Sequence, residues 1–100
     1  MIYSNNQYYE AKLQLRPLND EVINFVKEKI DKAENIFVSK EEKKKYGIDF
    51  YISSLQYVKV LATLLKNKFD GTLKYSTTLY GMKDGRQVYR LTVAFRMDGK

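Results

Sequence analysis

Residues 47–71 read GIDFYISSLQYVKVLATLLKNKFDG, and within this stretch the period of the apolar residues changes from two to about 3.6. Ile48, Phe50 and Ile52 alternate with other residues, which predicts a half-buried strand. A Ser-x-x-Gln capping box at Ser53 is expected to begin a helix, and Gly71 is expected to end it in a left-handed conformation. The expected buried stripe of this helix is Leu55, Val58, Leu61, Ala62, Leu65 and Phe69.

The residues that follow predict a β-hairpin. Alternating apolar residues in 72–80 and 88–96 indicate its two strands, and the segment 81–85, GMKDG, has the composition of a turn. The apolar side of the second strand is expected to carry Tyr89, Leu91, Val93 and Phe95.

The residues that precede this stretch predict a further strand, a helix and a short strand. Residues 8–16 alternate, with Tyr9 expected on the apolar side and Pro17 ending the strand. Asn19 is a good N-cap for an amphipathic helix of about 14 residues. Residues 35–38 can form a short strand, and the charged run 40–45 is expected to be a connection that is solvated or touches phosphate.

The element order is therefore β-α-β-β-α-β-β, in a chain of 100 residues that suits one domain with one core. Two helices with one apolar stripe each fit on one face of a sheet. We expect an α+β domain over residues 1–100, with a mostly antiparallel sheet and two helices on one face.

The composition favours binding over catalysis. The chain has no cysteine and no histidine, which excludes thiol nucleophiles, the usual zinc sites and the commonest general base. We expect no enzyme activity, no metal and no cofactor. A metal-dependent hydrolase would have to use carboxylates such as Asp49 and Glu10. The sequence shows neither a signal peptide nor an apolar run of about 20 residues, so the expected location is the cytoplasm, without a membrane partner.

The cations are concentrated in the C-terminal part of the chain. Residues 1–42 hold six Lys/Arg against eight Asp/Glu, whereas residues 43–100 hold twelve against four. The sheet face without helices is expected to present cations to phosphate, with Tyr8, Tyr51 and Tyr80 available to stack on bases. The solvent-exposed face of an antiparallel sheet is polar even when nothing binds to it, so polar residues there do not by themselves indicate RNA binding. The candidate RNA-binding residues are Lys12, Arg16, Lys74, Arg90 and Arg96, with Lys43, Lys44 and Lys45 as a second contact.

Four stretches carry a resemblance to a known family: YYEAKLQLR at 8–16, KYGIDFY at 45–51, FDGTLKYS at 69–76 and DGRQVYRLTV at 84–93. They resemble the central domain of the nonsense-mediated mRNA decay protein three family, the export adaptor of the large ribosomal subunit, in an archaeal type. The resemblance implies a role in subunit biogenesis or export, with the chain either the central domain of a longer protein, as we expect, or a short relative of the family. Its expected partners are the large subunit, its rRNA and other ribosome-associated factors.

The chain departs from the family pattern in three ways. It has none of the zinc-binding Cys-x-x-Cys pairs, no barrel-like C-terminal domain and no leucine-rich export signal, so zinc and exportin binding do not transfer to it. The alternative function is a protein-interaction or spacer domain that makes little direct contact with RNA.

Overall fold

The described structure is a computed structural model of residues 9–97, apart from the side chains of Tyr80, Lys83, Arg86 and Gln87. The order of elements agrees with the prediction from the sequence. The elements are β1 (Ala11–Arg16), α1 (Asp20–Lys32), β2 (Val38–Lys44), β3 (Gly47–Ile52), α2 (Leu55–Lys68), β4 (Gly71–Lys83) and β5 (Arg86–Met97).

The five strands form one sheet in the order β2-β3-β1-β5-β4. Neighbouring strands are antiparallel except β1 and β5, which are parallel. β1 ends before Pro17, whose peptide bond with Arg16 is cis. The prediction of an α+β fold with a mostly antiparallel sheet is confirmed.

Both helices pack on the same face of the sheet and share one core with it. The ring of Phe25 in α1 meets the ring of Phe69 edge-on, with centroids 5.5 Å apart. The Tyr57 hydroxyl in α2 donates to the Lys29 carbonyl in α1 at 2.7 Å. Between residues 9 and 97, no helix is long and apolar enough to cross a membrane. The core residues from the sheet are Ala11, Leu13, Leu15, Val38, Ile48, Phe50, Ile52, Leu91, Val93 and Phe95.

The N-terminus of α2 differs from the predicted capping box. Ser54, not Ser53, is the N-cap, and its hydroxyl accepts from the Tyr57 amide at 3.1 Å. The amide of Leu55, the first residue of the helix, donates to the carboxylate of Glu10 at 2.8 Å. A glutamate distant in the sequence therefore satisfies one of the free amides in the first turn of α2. The Ser53 hydroxyl instead accepts from the Phe37 amide at 2.9 Å.

The predicted N-cap of α1 is confirmed and leads to a stability prediction. The Asn19 side chain accepts from the amides of Glu21 and Val22 at 2.9 and 3.1 Å. We expect Asn19→Ala to lower the free energy of unfolding by about 1 kcal/mol, because these two amides lose their acceptor. Urea denaturation measures the difference. Asn24→Ala, an exposed position within the same helix, is the control, and an equal loss there would contradict the capping role.

Gly71 does not end α2 in the left-handed region, so this prediction was wrong. The helix is capped by Phe69 in an extended conformation, and Gly71 is the first residue of β4. A Cβ at position 71 would lie 2.6 Å from the Arg96 carbonyl oxygen and 2.7 Å from the Phe95 ring. Glycine is needed there because the backbone of β4 approaches β5 closely.

The C-terminal hairpin is longer and its turn is tighter than predicted. Asp84 and Gly85 alone form the turn, with φ of 52° and 76°, the values of a type I′ turn. The predicted turn residues Gly81–Lys83 belong to β4, whose register shifts between Leu79 and Gly81 as at a β-bulge. Because the pairing of β5 with β1 begins at Ala11 and Leu91, the tip of the hairpin extends past β1.

The charged run forms most of β2 instead of a connection, so the strand predicted at 35–38 lies further along the chain and shares only Val38 with the prediction. Asn35 lies in a turn with a φ of 61°, and β2 begins only at Val38. β2 pairs antiparallel with β3 as far as Lys44 and Gly47. It lies at the edge of the sheet, where charged residues are tolerated because one side of the strand faces solvent.

Candidate nucleic-acid interface

The face of the sheet opposite the helices, here called the open face, carries most of the predicted site residues. Strand register places them in rows that cross the sheet, such as Lys40-Tyr51-Lys12-Thr92-Ser76. Of the predicted cations, the open face holds Lys12, Arg16, Lys44, Lys74, Arg90 and Arg96. Lys43 pairs with the core residue Ile48, so it lies on the opposite face of β2 from the open face. Lys45 lies in the turn after β2.

Arg16 forms an ion pair within the protein. Its Nη2 atom lies 2.8 Å from Oδ1 of Asp49, and its Nη1 donates to the Leu15 carbonyl at 2.9 Å. The Asp49 residue is only 1% exposed. A buried carboxylate needs a cationic partner, so the geometry gives Arg16 a structural role and leaves it less able to bind phosphate than the other predicted residues.

Asp49 and Glu10, the pair on which a metal-dependent hydrolase would rely, do not come together. The Glu10 amide donates to the carbonyl of Ile52, three residues along β3 from Asp49. The Glu10 carboxylate caps α2, and the Asp49 carboxylate binds Arg16. In the part of the chain that the structure describes, no group of three carboxylates lies close enough to hold a metal ion.

The cations of β2 are partly offset by Glu42. The Lys44 and Lys40 ammonium groups lie 3.1 and 3.6 Å from its carboxylate. The hydrogen bond from Lys44 lowers the pKa of Glu42, and the same bond raises the pKa of Lys44. Lys45 lies over the ring of Tyr46, with its Nζ atom 5.3 Å from the ring centroid. These residues line the edge of the open face and the turn beside it.

The open face contains a group of two tyrosines and three cations, here called the tyrosine–cation cluster: Tyr9, Lys12, Lys40, Tyr51 and Arg90. The rings of Tyr9 and Tyr51 meet edge-on, with centroids 4.9 Å apart. The Arg90 guanidinium carbon lies 3.8 Å from the centroid of Tyr9, and its Nε donates to the Tyr9 carbonyl at 3.1 Å. Arg90 therefore holds both the ring and the backbone of Tyr9.

Two lysines from the neighbouring strands lie over the ring of Tyr51. The Nζ atoms of Lys12 and Lys40 are 5.0 and 5.6 Å from its centroid. Its hydroxyl donates to Glu42 at 3.2 Å. Burial, and secondly this hydrogen bond, raise the pKa of Tyr51, so the hydroxyl stays protonated well above neutral pH. Tyr9, Ser39, Lys40 and Tyr51 together line a recess of about 420 Å³.

Tyr9 was predicted on the apolar side of its strand, and this was wrong. β1 begins only at Ala11 and the chain bends at Glu10, so the alternation does not continue to Tyr9. Tyr51 lies on the open face as predicted, because Phe50 and Ile52 on either side of it are buried. Tyr8 and the side chain of Tyr80 lie outside the described residues.

Lys74 and Arg96 form the second basic part of the open face. Both are exposed, on the two strands at the other edge of the sheet. Lys74 pairs across to Ala94 and Gln14, and Arg96 pairs across to Thr72 and Arg16. No carboxylate stands at these positions, so the positive charge of this part is not offset by a cross-strand partner.

Residues 8–97 match the protein family described as NMD3, second domain. The chain belongs to this family. The match covers nearly all of the chain and confirms the resemblance that the four sequence stretches indicated. None of the curated proteins matches this NMD3 domain. Membership of the NMD3 family connects the chain with the biogenesis and export of ribosomal subunits.

Proposed function

We propose that this NMD3 domain binds RNA of the large ribosomal subunit through its open face. It would serve there as the central domain of an archaeal-type, cytoplasmic factor for the biogenesis or export of that subunit. The tyrosine–cation cluster is the observation that carries the proposal. Aromatic rings beside cations, on a sheet face without helices, are the elements that sheet-type RNA-binding domains use.

The chemistry of each side chain on the open face determines which part of the RNA it binds. Lys74 and Arg96 are exposed and unopposed by carboxylates across the strands, so they bind phosphates. Lys12 and Lys40 have long stems that let their ammonium groups move from the Tyr51 ring to a phosphate. Tyr9 and Tyr51 contact bases, and Thr92, Ser76 and Thr78 offer hydroxyl groups to phosphate or to the 2′-hydroxyl.

The Lys43–Lys45 segment is a second, weaker contact in this proposal. Lys45 and Lys43 are exposed at the edge of the sheet next to the open face. Lys44 contributes less, because Glu42 offsets its charge. Other ribosome-associated factors are further partners in the proposal. We propose no catalytic step and no cofactor.

Binding to large-subunit rRNA is expected to weaken steeply with salt. If Lys12, Lys40, Lys74 and Arg96 neutralise four phosphates, the logarithm of the association constant falls with the logarithm of the salt concentration with a slope of about −3. Titration of labelled rRNA fragments with the chain at several salt concentrations measures this slope. A flat response would contradict the proposal.

The alternative of a spacer domain predicts a different result for one pair of variants. Changing Arg90 and Arg96 to glutamate would leave RNA affinity unchanged if the domain only positioned its neighbours. The proposal predicts a loss of at least about tenfold, since two cations on the open face become anions. Circular dichroism of the variant shows whether it is still folded.

A further inference from the structure

We infer that the recess lined by Tyr9, Ser39, Lys40 and Tyr51 binds one unpaired nucleotide, so that the domain recognises single-stranded or bulged RNA in preference to a continuous duplex. The inference rests on the proposed function and specifies the RNA that the open face takes. It depends on the recess, on the rings that line it and on the cations around it.

The size of the recess fits one nucleotide. Its volume of about 420 Å³ lies near the lower end of the range of small-ligand sites, which is about 300–1,000 Å³. A base that enters it contacts the rings of both tyrosines. A base paired within a duplex is stacked on its neighbours and cannot enter, whereas an unpaired base turns outward at little cost.

The chemistry of the recess also fits a nucleotide. The Tyr51 ring supplies a π surface for any base once the lysine ammonium groups move from it to phosphate, and Ser39 and the Tyr51 hydroxyl supply polar groups beside it. Lys40 lines the recess, and Lys12 stands on the next strand but one, with Tyr51 between them. The ammonium groups of these lysines can bind the phosphates on either side of an inserted base.

Arg90 has a positioning role in this site. Its guanidinium covers one region of the Tyr9 ring at 3.8 Å, and its Nε holds the Tyr9 carbonyl. The planar guanidinium stacks on a ring and donates at the same time, which a lysine ammonium does not. Arg90→Lys therefore keeps the charge but loses the placement of Tyr9. It is expected to reduce the affinity for single-stranded RNA more than the affinity for a duplex.

The test compares three RNAs of equal length: a single strand, a duplex, and a duplex with one bulged nucleotide. Fluorescence anisotropy measures their affinities for the chain and for its variants. We expect the single strand and the bulged duplex to bind at least about tenfold more tightly than the continuous duplex. Tyr51→Leu is expected to remove most of this difference, whereas Tyr51→Phe, which retains the ring, is expected to preserve it.

Tyr75→Leu is the matched control. Tyr75 is an exposed tyrosine in β4, and it pairs with the buried Val93, so it lies on the face opposite the recess. It should leave all three affinities unchanged. Equal binding of the three RNAs, or an equal effect of Tyr51→Leu and Tyr75→Leu, would overturn the inference while the RNA-binding function stands. No binding to any of the RNAs would overturn both.

Discussion

Arg16→Leu is expected to lower the free energy of unfolding by about 3 kcal/mol, one of the two largest effects that we predict. The substitution leaves the Asp49 carboxylate buried without its cation, and Asp49 is 1% exposed. It also removes the donor to the Leu15 carbonyl. Urea denaturation measures the loss, and the slope of the free energy of unfolding against urea concentration should be the same in both proteins.

A double-mutant cycle separates the ion pair from the packing of the Arg16 stem. Asp49→Asn removes the buried charge and is expected to cost about 1 kcal/mol. In that background Arg16→Leu should cost less than it does alone, by at least about 1 kcal/mol, because no buried charge is left unpaired. Additive losses would show that the two side chains are not coupled and would contradict the structural role of Arg16.

Gly47→Ala is expected to produce the second large effect, a loss of about 3 kcal/mol. A Cβ at position 47 would lie 2.1 Å from the Leu15 carbonyl oxygen and 2.6 Å from Cδ and Nη1 of Arg16. A flexible side chain can move away, but the Leu15 oxygen belongs to the backbone of β1. The substitution therefore moves β3 away from β1 and also displaces the arginine from Asp49.

Gly81→Ala is the control for this prediction. Gly81 also lies in a strand, but an added Cβ meets no atom within 4 Å there, and the φ angle is not in the left-handed region. We expect a change of less than about 0.5 kcal/mol. Thermal and urea unfolding of both variants measure the two effects. Similar losses in the free energy of unfolding for the two variants would contradict the explanation that the backbone of β1 lies too close to Gly47 for a Cβ.

Local periodicity was sufficient to predict the order of the elements and most of the core. Ile48, Phe50 and Ile52 alternate as in a strand with one buried face, and all three are buried. Val58 and Leu61 in α2 follow the spacing of a helix that covers a sheet, and both are fully buried. These features depend on residues close in the chain, which is why the sequence indicates them.

The features that the sequence did not indicate depend on residues far apart in the chain. The Glu10 carboxylate caps α2 from a position 45 residues earlier, so no pattern near the start of the helix indicated this contact. The role of Arg16 follows from the register of β1 against β3, which brings it to Asp49. The position of Gly71 after α2 is typical of a residue that ends a helix, but glycine is required there because β4 approaches β5 closely.

The candidate site was predicted in part for the same reason. The alternation in β1 and β5 placed Lys12, Arg90 and Arg96 on one face, and the structure agrees. The position of Tyr9 depends on where β1 begins, and strand ends are the least certain part of a pattern. Its contact with Arg90 joins residues 81 positions apart, so no local signal indicated the tyrosine–cation cluster.

The most direct test of RNA binding by the open face compares charge reversals on the two sides of the domain. Lys74→Glu with Arg96→Glu reverses two cations of the open face, and Lys32→Glu with Lys59→Glu reverses two exposed cations of the helices. The two variants have the same net charge, and their affinities for large-subunit rRNA are measured at one salt concentration. We predict that the first variant loses at least about tenfold in affinity and that the second changes less than about threefold. Equal losses in both variants would contradict the account.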